Sequence, residues 1–414
     1  MAEVRAVSRD ARYPDPELFR YAGSMEGLPE WVDPIHLPGS SPWQRTAQEW
    51  FDHTAIVLPG IVIAGLLALA GRELADLIGS EVFGVGSTPV SPILLAILLG
   101  LLIRNAIGLP ESYQPGLRLC LQRVLRIGVA LLGLRLSLTA VGSIGVVALP
   151  IVAASIVTAL LGVSLINRLL GLPSRLGTLV AVGTAICGNS AIVATAPAIG
   201  AREDEVSYAV GCVTLFGLLA LGTYPFLSHF LFDGNALRAG LFLGTAIHDT
   251  AQVAGAGLLY RQQFGDAEAL DAAMVTKLLR NVFMILVIPG MAFLYHRGGD
   301  ADAVGGRPSL RQAVPFFVFG FLALALLRTL GDLGEAPFGG WLDAAAWTRG
   351  VEMGIGASGW CLTLAMAAVG LGTDLSRLRS LGVRPLVVGF AAALTVGVVS
   401  ATLIRALTVA MPIG

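Results

Sequence analysis

The stretch GTAICGNSAIVATAP, residues 183–197, is apolar enough to lie in a membrane, yet it holds two glycines, an asparagine, a serine and a proline. Each glycine weakens a helix by about 1 kcal/mol relative to alanine, and Pro197 removes a backbone hydrogen bond. The stretch therefore predicts a helix interrupted near 187–189. A helix that restarts at Asn189 exposes backbone N–H groups, which attract anions. The alternative is that its small residues allow close helix packing.

The composition around this stretch is that of a membrane protein. Hydrophobic residues make up 55% of the chain and charged residues 13%, against roughly 25% charged in an average soluble domain. Backbone polar groups in lipid must be satisfied internally, so runs of about 20 apolar residues are expected to be helices. We predict an all-α polytopic membrane protein with about eleven transmembrane helices, near 56–78, 90–107, 121–138, 144–166, 176–200, 205–231, 237–260, 273–295, 311–330, 349–370 and 383–412.

The first fifty residues differ in composition, because they are rich in charge and proline and contain no signal-peptide apolar core. We predict a soluble N-terminal tail and interfacial segment at 1–55, and a transmembrane transporter domain at 56–414. More basic residues fall in the loops that are cytoplasmic if the N-terminus is inside. The expected location is the bacterial inner membrane, multi-pass, with a cytoplasmic N-terminus.

Two pairs of passages indicate internal repetition. ALLGLRLSL from Ala130 resembles AMAAVGLGTDL from Ala365; seven predicted helices separate them, which implies an inverted repeat and repeat-like units at about 121–231 and 237–412. GTAICGNSA from Gly183 resembles GTAIHDTAQ from Gly244. These two lie two predicted helices apart, so a parallel duplication, a re-entrant segment and chance all remain open. We favour broken or re-entrant geometry for at least one of them.

Polar residues inside the apolar runs are the candidates for function, because an unpaired polar group in hydrocarbon costs several kcal/mol. A first cluster lies in the opening stretch and a second in the segment that resembles it. In the second, His248 beside Asp249 is a candidate for proton or ion coupling; the alternative is a solvated histidine at the membrane edge. The candidate substrate-binding residues of these two clusters are Thr184, Cys187, Gly188, Asn189, Ser190 and Gln252.

A third cluster consists of Lys277, Arg280 and Asn281 in the sequence MVTKLLRNVF, and Lys277 is the only lysine of the chain. The three residues lie three and four positions apart and form one polar stripe of a helix. Two cations on a stripe that faces the bundle interior would hold an oxyanion. The alternative is snorkelling of both side chains to the interface from a position near a helix end.

Several classes of function are disfavoured. The four cysteines lack metal-ligand spacing, the net charge of −1 offers no basic field for nucleic acid, and no phosphate-binding loop for ATP occurs. We expect no metal, no cofactor and no enzyme activity. Two alternatives remain: an intramembrane hydrolase with Cys187 or Ser190 as nucleophile and His248 as base, and an ion channel, which lacks a filter motif here.

The chain resembles a known family at LLGLRLSL, GTAICGNSAI, GTAIHDTAQVAGAG, VTKLLRN and AMAAVGLGTDL, which occur in order over residues 90–412. It is similar to the YeiH-type bacterial inner-membrane proteins, often described as sulfate exporters. Family members typically have alanine or serine where this chain has Asn189, and glutamate where it has Asp249. The family is distantly similar to the bile-acid/sodium symporters, which implies inverted repeats, core and panel domains, and a discontinuous core helix.

Together the residues and the resemblance predict a secondary active transporter that exports a small anion such as sulfate, sulfite or an organosulfonate by alternating access. Residues near Asn189 and Ser190 would hold the anion, helped by Lys277 and Arg280. The expected partners are the small anionic substrate, a coupling proton or sodium ion and the lipid bilayer, with a homo-oligomer left open. Similarity of fold does not establish the substrate.

Overall fold

The computed structural model describes residues 42–78, 91–297, 316–333, 336–374, 376 and 383–410, and the regular elements within them are all helices. The predicted all-α class is confirmed. Residues 1–41 of the predicted tail lie outside this description, and the predicted boundary at 55/56 lies inside the first helix. The α-helices are α1 Pro42–Leu77, α2 Pro92–Leu102, α3 Gln114–Leu119, α4 Leu125–Leu131, α5 Leu138–Leu169, α6 Ser174–Ala185, α7 Asn189–Thr195, α8 Glu203–Leu231, α9 Ala236–Ala246, α10 Thr250–Phe264, α11 Glu268–Val282, α12 Met284–Arg297, α13 Phe316–Gly331, α14 Ala344–Gly372 and α15 Val383–Ala410.

The apolar helices of the described residues fall into a long and a short class. Six helical stretches of the described residues are long and apolar enough to cross a membrane, namely 54–77, 138–169, 204–231, 268–295, 344–372 and 386–407. Shorter apolar helices lie at 92–107, 189–199, 236–246 and 316–331. The chain is therefore a polytopic helical membrane protein in which several predicted spans are built from short pieces.

The two segments that resemble one another are both interrupted helices. The α6 helix ends at Ala185 and α7 begins at Asn189. The α9 helix ends at Ala246 and α10 begins at Thr250, with extended backbone at Ile247 and Asp249. The predicted break near 187–189 is confirmed, and the second segment has a break at the corresponding place. We call Ile186–Gly188 the first junction and Ile247–Asp249 the second junction.

The helices pack in two groups. In the first, α14 packs along α1, α2 and α4, while α1 packs on α2 and α3, and α13 packs on α4. In the second, α9 packs closely on α11, α5 lies against α6, α11 and α15, and α8 contacts α6, α10 and α15. We call α1–α4 with α13 and α14 the panel group, and α5–α12 with α15 the core group. Both interrupted helices belong to the core group.

The two groups meet along α10 and α14. A Cβ at Gly255 of α10 would lie 2.6 Å from the sulfur of Met366 in α14, so a larger residue there would displace the Met366 side chain. Polar contacts also cross the boundary. The guanidinium of Arg135, just after α4, donates to both carboxylate oxygens of Asp271 in α11 at 2.8 and 3.2 Å, and Ser91 at the start of α2 donates to Gln262 of α10. The second half of the interrupted helix α9–α10 thus lies at the boundary with the panel group.

Candidate functional site

The two junctions lie against each other in the core group. Gly188 has φ 73° and ψ −124°, a backbone conformation that is essentially restricted to glycine. A Cβ added there would lie 3.1 to 3.2 Å from the carboxylate and Cα of Asp249. Gly188 is therefore needed both for its own conformation and for the approach of the second junction. The break predicted near 187–189 and the break found in the second segment therefore form one site.

Lys277 of α11 holds the two junctions together. Its side chain is fully buried, and its ammonium donates to the carbonyls of Ile186 at 2.8 Å and Ile247 at 3.0 Å, as well as to the carbonyl of His248. These carbonyls lie at and just beyond the C-terminal ends of α6 and α9, where backbone acceptors have no partner within the helix. A cation at a helix C-terminus is also favoured by the helix dipole.

Arg280, one turn further along α11, does the same for the preceding carbonyls. Its guanidinium donates to Ala185 at 2.7 Å, to Thr245 at 2.6 Å and to the carbonyl of Thr184. Arg280 is fully buried, so the alternative of snorkelling to the interface is wrong for both cations. The three ammonium N–H groups and most of the guanidinium N–H groups point at backbone carbonyls. Direct anion ligation by Lys277 and Arg280 therefore stays a prediction that this arrangement does not favour.

The opposite side of the junctions carries the helix N-termini and Asp249. The carboxylate of Asp249 accepts a hydrogen bond from the backbone N–H of Ala251 at 2.8 Å, which caps α10. The backbone N–H groups of Gln252 and, across the junction, Asn189 also point to this carboxylate. One acidic side chain thus serves the first turns of α10 and α7. The sequence pattern indicated free N–H groups at Asn189, whereas the structure places Asp249 beside them.

Thr214 of α8 links the first cluster to the second, although sequence reasoning did not single it out. Its hydroxyl lies 3.2 Å from the amide nitrogen of Asn189, and its backbone carbonyl accepts from the amide of Gln252 at 3.1 Å. The only available signal was a threonine in the middle of an apolar run. Asn189, Ser190, Thr214 and Asp249 are half-buried, whereas the Lys277 side of the junctions is sealed. The site is therefore accessible from the side of the helix N-termini.

The other candidates lie around the same junctions. His248 and Gln252 are buried, and the Nδ1 atom of His248 has no hydrogen-bond partner within the described residues. His248 is thus not a solvated residue at the membrane edge. The amide of Asn281 donates to the hydroxyl of Thr250 at 3.2 Å. The thiol of Cys187 contacts the sulfur of Met284 at 3.4 Å. In the part of the chain that the structure describes, no group of acidic, histidine and cysteine side chains could hold a metal ion.

The junctions carry a positive balance of charge. Two helix C-termini, each equivalent to roughly −0.5 charge, are opposed by two N-termini of about +0.5 each. Two buried cations then exceed the single carboxylate of Asp249 by one. In a poorly polarisable interior such an excess acts strongly on a mobile ion, and it attracts negative charge and repels positive charge.

Comparisons with known proteins place the chain in a family of membrane proteins. The family described as Conserved hypothetical protein 698 matches residues 59–389. The chain is 34% identical to a UPF0324 membrane protein of Streptococcus pyogenes serotype M18, over 80% of this chain and 92% of the relative. It is 32% identical to one of Agrobacterium fabrum, over 84% and 92%, and 30% identical to one of Nitratidesulfovibrio vulgaris, over 81% and 89%. These matches confirm the resemblance to the YeiH-type proteins at the level of the family. The chain thus belongs to the family of Conserved hypothetical protein 698, in which these relatives carry the name UPF0324 membrane protein.

Proposed function

We propose that this membrane protein is a secondary active transporter that moves a small anion, of the sulfate, sulfite or organosulfonate class, by alternating access. The observation that carries the proposal is the meeting of two interrupted helices at Gly188 and Asp249, inside a core group that borders a panel group. Junctions of discontinuous helices are where secondary transporters bind substrates and coupling ions. We further propose that it works in the bacterial inner membrane, with the N-terminus in the cytoplasm.

The charge of the site supports an anion rather than a cation. Lys277 and Arg280 supply a fixed positive excess from behind the junctions, while their donors bind backbone carbonyls. Contact with the anion then falls to the half-buried side chains of Asn189 and Ser190, together with Thr214. Gln252 keeps this surface in place through its bond to α8. We therefore propose that Lys277 and Arg280 attract the anion electrostatically without touching it, and that the first turn of α7 contacts it directly.

A hydrolase is the second candidate and receives less support. It requires a nucleophile within hydrogen-bond reach of its base. The thiol of Cys187 instead contacts Met284, and the Nδ1 atom of His248 has no partner among the described residues. Purified protein that cleaves ester or amide substrates, with the rate abolished by Cys187→Ala or Ser190→Ala, would favour this candidate.

Exchange in proteoliposomes tests the transporter. Vesicles are loaded with unlabelled sulfate, and uptake of labelled sulfate, sulfite or methanesulfonate is followed. We expect saturable exchange with at least one of these anions, and we expect Lys277→Ala to raise the half-saturating concentration about tenfold, equivalent to about 1.4 kcal/mol. Arg405→Ala is the control, because Arg405 also bonds a helix-end carbonyl, that of Leu231, but is exposed. Folded protein that exchanges none of the anions would rule the proposal out.

A further inference from the structure

We propose that Asp249 is an internal anion that the transported anion displaces, so that one proton binds to Asp249 with each anion and both move in the same direction. This inference rests on the proposed function and assigns its coupling group. The step is a simple protonation, in which the carboxylate takes up one proton and becomes a neutral carboxyl. That carboxyl keeps an O–H with which it donates to an oxygen of the bound anion.

The position of Asp249 is the first argument. Its carboxylate lies between the two junctions, bonded to the N–H of Ala251 on α10 and facing the N–H of Asn189 on α7. These donors are the groups that an incoming oxyanion would use. While Asp249 is ionised, the anion meets a like charge at this place. Protonation removes that charge and weakens the hold of Asp249 on the N–H groups, which then become available to the anion.

The charge balance is the second argument. The site with ionised Asp249 and no anion has the same net charge as the site with a proton on Asp249 and one bound monoanion. An anion alone adds a second negative charge beside the carboxylate, and a proton alone leaves both cations without a counter-charge. Each ligand therefore removes an electrostatic cost that the other would meet if it bound alone: the proton removes the like charge beside the anion, and the anion neutralises the added positive charge. By linkage, the proton and the anion then strengthen each other's binding.

The other charged and titratable groups around Asp249 are less suited to bind the coupling proton, which favours Asp249 as the coupling group. Lys277 and Arg280 from α11 are committed to carbonyls. His248 is fully buried, and its own carbonyl accepts from Lys277, so a proton on its ring would add a third positive charge to the cluster. The thiol of Cys187 contacts Met284.

Two further elements pack against α10, and their titratable thiols face elsewhere. On α8, the Cβ of Cys212 lies 3.0 Å from the place of a Cβ on Gly389 in α15. On α14, Cys361 lies 2.9 Å from the corresponding place on Gly128 in α4. Near the beginning of α10, these helices present Thr214 and Met366, which do not titrate. The histidine of α8, His229, meets α10 at Tyr260 and Phe264 near its other end, away from Asp249.

Two buried polar side chains beside the second junction are incompletely hydrogen-bonded within the described residues. The side-chain oxygens of Gln252, on the first turn of α10, and of Asn281, which bonds Thr250, have no hydrogen-bond partner among the described residues. Both residues are at least nine-tenths buried. A buried acceptor without a donor costs about 1–3 kcal/mol. The described residues therefore leave polar groups beside the second junction unsatisfied, as expected where water or a ligand binds.

The experiment measures anion binding and proton uptake together on the purified full-length protein. Methanesulfonate serves as the probe, since it is a monoanion that does not titrate between about pH 5 and pH 8, where histidine and perturbed carboxyls do. Affinity is obtained from thermal shifts, and proton uptake from an indicator dye in weakly buffered solution. The variants are Asp249→Asn, a neutral mimic of the protonated acid, Asp249→Glu, which keeps the carboxylate, and His248→Gln.

In wild-type protein and in Asp249→Glu we expect about one proton taken up per anion, and affinity that falls up to tenfold per pH unit toward alkaline pH. Asp249→Asn should bind the anion without proton uptake and without this slope, and His248→Gln should keep the slope. Anion binding by wild-type protein without proton uptake overturns the inference and leaves the transporter standing, even where Asp249→Asn fails to fold. A slope retained in Asp249→Asn has the same consequence. Absence of binding and exchange at every pH overturns both proposals.

Discussion

At the scale of single residues, the junctions show how a membrane protein stabilises two broken helices. Each break leaves carbonyls at one helix end and N–H groups at the next helix start without partners in a medium that lacks water. Lys277 and Arg280 satisfy the carbonyls of both breaks, and Asp249 faces the N–H groups. Charged side chains thus supply hydrogen bonds in place of those that continuous helices would have made.

Removal of Lys277 should therefore reduce stability strongly. Lys277→Ala leaves the buried carbonyls of Ile186 and His248 without this donor, while that of Ile247 keeps a 3.4 Å bond from Arg280. Each lost donor costs about 1–3 kcal/mol, so we expect a loss of at least about 2 kcal/mol. Denaturant unfolding in detergent, followed by circular dichroism, measures it. Arg405→Ala, which removes an exposed donor from the carbonyl of Leu231, should cost less than about 1 kcal/mol. Similar losses for the two variants would mean that the junction carbonyls are hydrated.

Gly188 provides a second residue-scale prediction. Gly188→Ala forces a side chain into a backbone at φ 73° and brings its Cβ to 3.1 Å from the Asp249 carboxylate. Gly171→Ala is the matched control, since Gly171 has φ 64° but nothing within 4 Å of its Cβ position. Backbone strain should cost about 1–3 kcal/mol in each variant. Only Gly188→Ala should also lower anion exchange in proteoliposomes. Equal exchange by both variants would show that Gly188 is not part of the transport site.

At the scale of elements, the sequence predicts the first break well and the partners of both breaks poorly. Glycine and polar residues within GTAICGNSA are local signals that predicted the first interruption, whereas the resemblance of GTAIHDTAQ left the second interruption open. The partners of Lys277 and Arg280 are backbone carbonyls, which no residue type reveals. A polar stripe on a helix is equally compatible with an anion, an interface or a helix end. Thr214 was missed for a related reason, because an isolated threonine in an apolar helix usually bonds its own backbone.

The contact between α8 and α10 yields an element-scale prediction. A Cβ on Gly217 would lie 1.9 Å from the side-chain oxygen of Gln252, so Gly217→Ala must push α8 away from α10 or displace Gln252. We expect a loss of about 1–3 kcal/mol, as for other overpacked sites. Gly222→Ala, one and a half turns further along α8 with nothing within 4 Å, should instead gain up to about 1 kcal/mol from helix propensity. Unfolding of both variants in detergent measures the difference, and the same sign for both would contradict the packing argument.

At the scale of the whole molecule, ion pairs of two kinds connect the helices. Arg135 and Asp271 join the panel group to the core group with side chains that are 11% and 14% exposed. Arg104 and Asp374 form a comparable pair at 3.2 Å, but both belong to the panel group. Alternating access requires the groups to move relative to one another, so the first pair must open or move with that transition, whereas the second can persist through it.

Neutralising each acid in turn distinguishes these roles. Asp271→Asn should shift the balance between the two arrangements of the groups and change the accessibility of the junctions, whereas Asp374→Asn should not. The measurement is labelling of Ser190→Cys by a membrane-impermeant maleimide in vesicles, quantified by mass spectrometry on the peptide that contains position 190, so it needs no known substrate. We expect a change of about threefold to tenfold for Asp271→Asn, which corresponds to a shift of roughly 1 kcal/mol in a two-state balance. Equal labelling in both variants would show that the Arg135–Asp271 pair does not restrain the core group, and that the contact between α10 and α14 holds the observed arrangement instead.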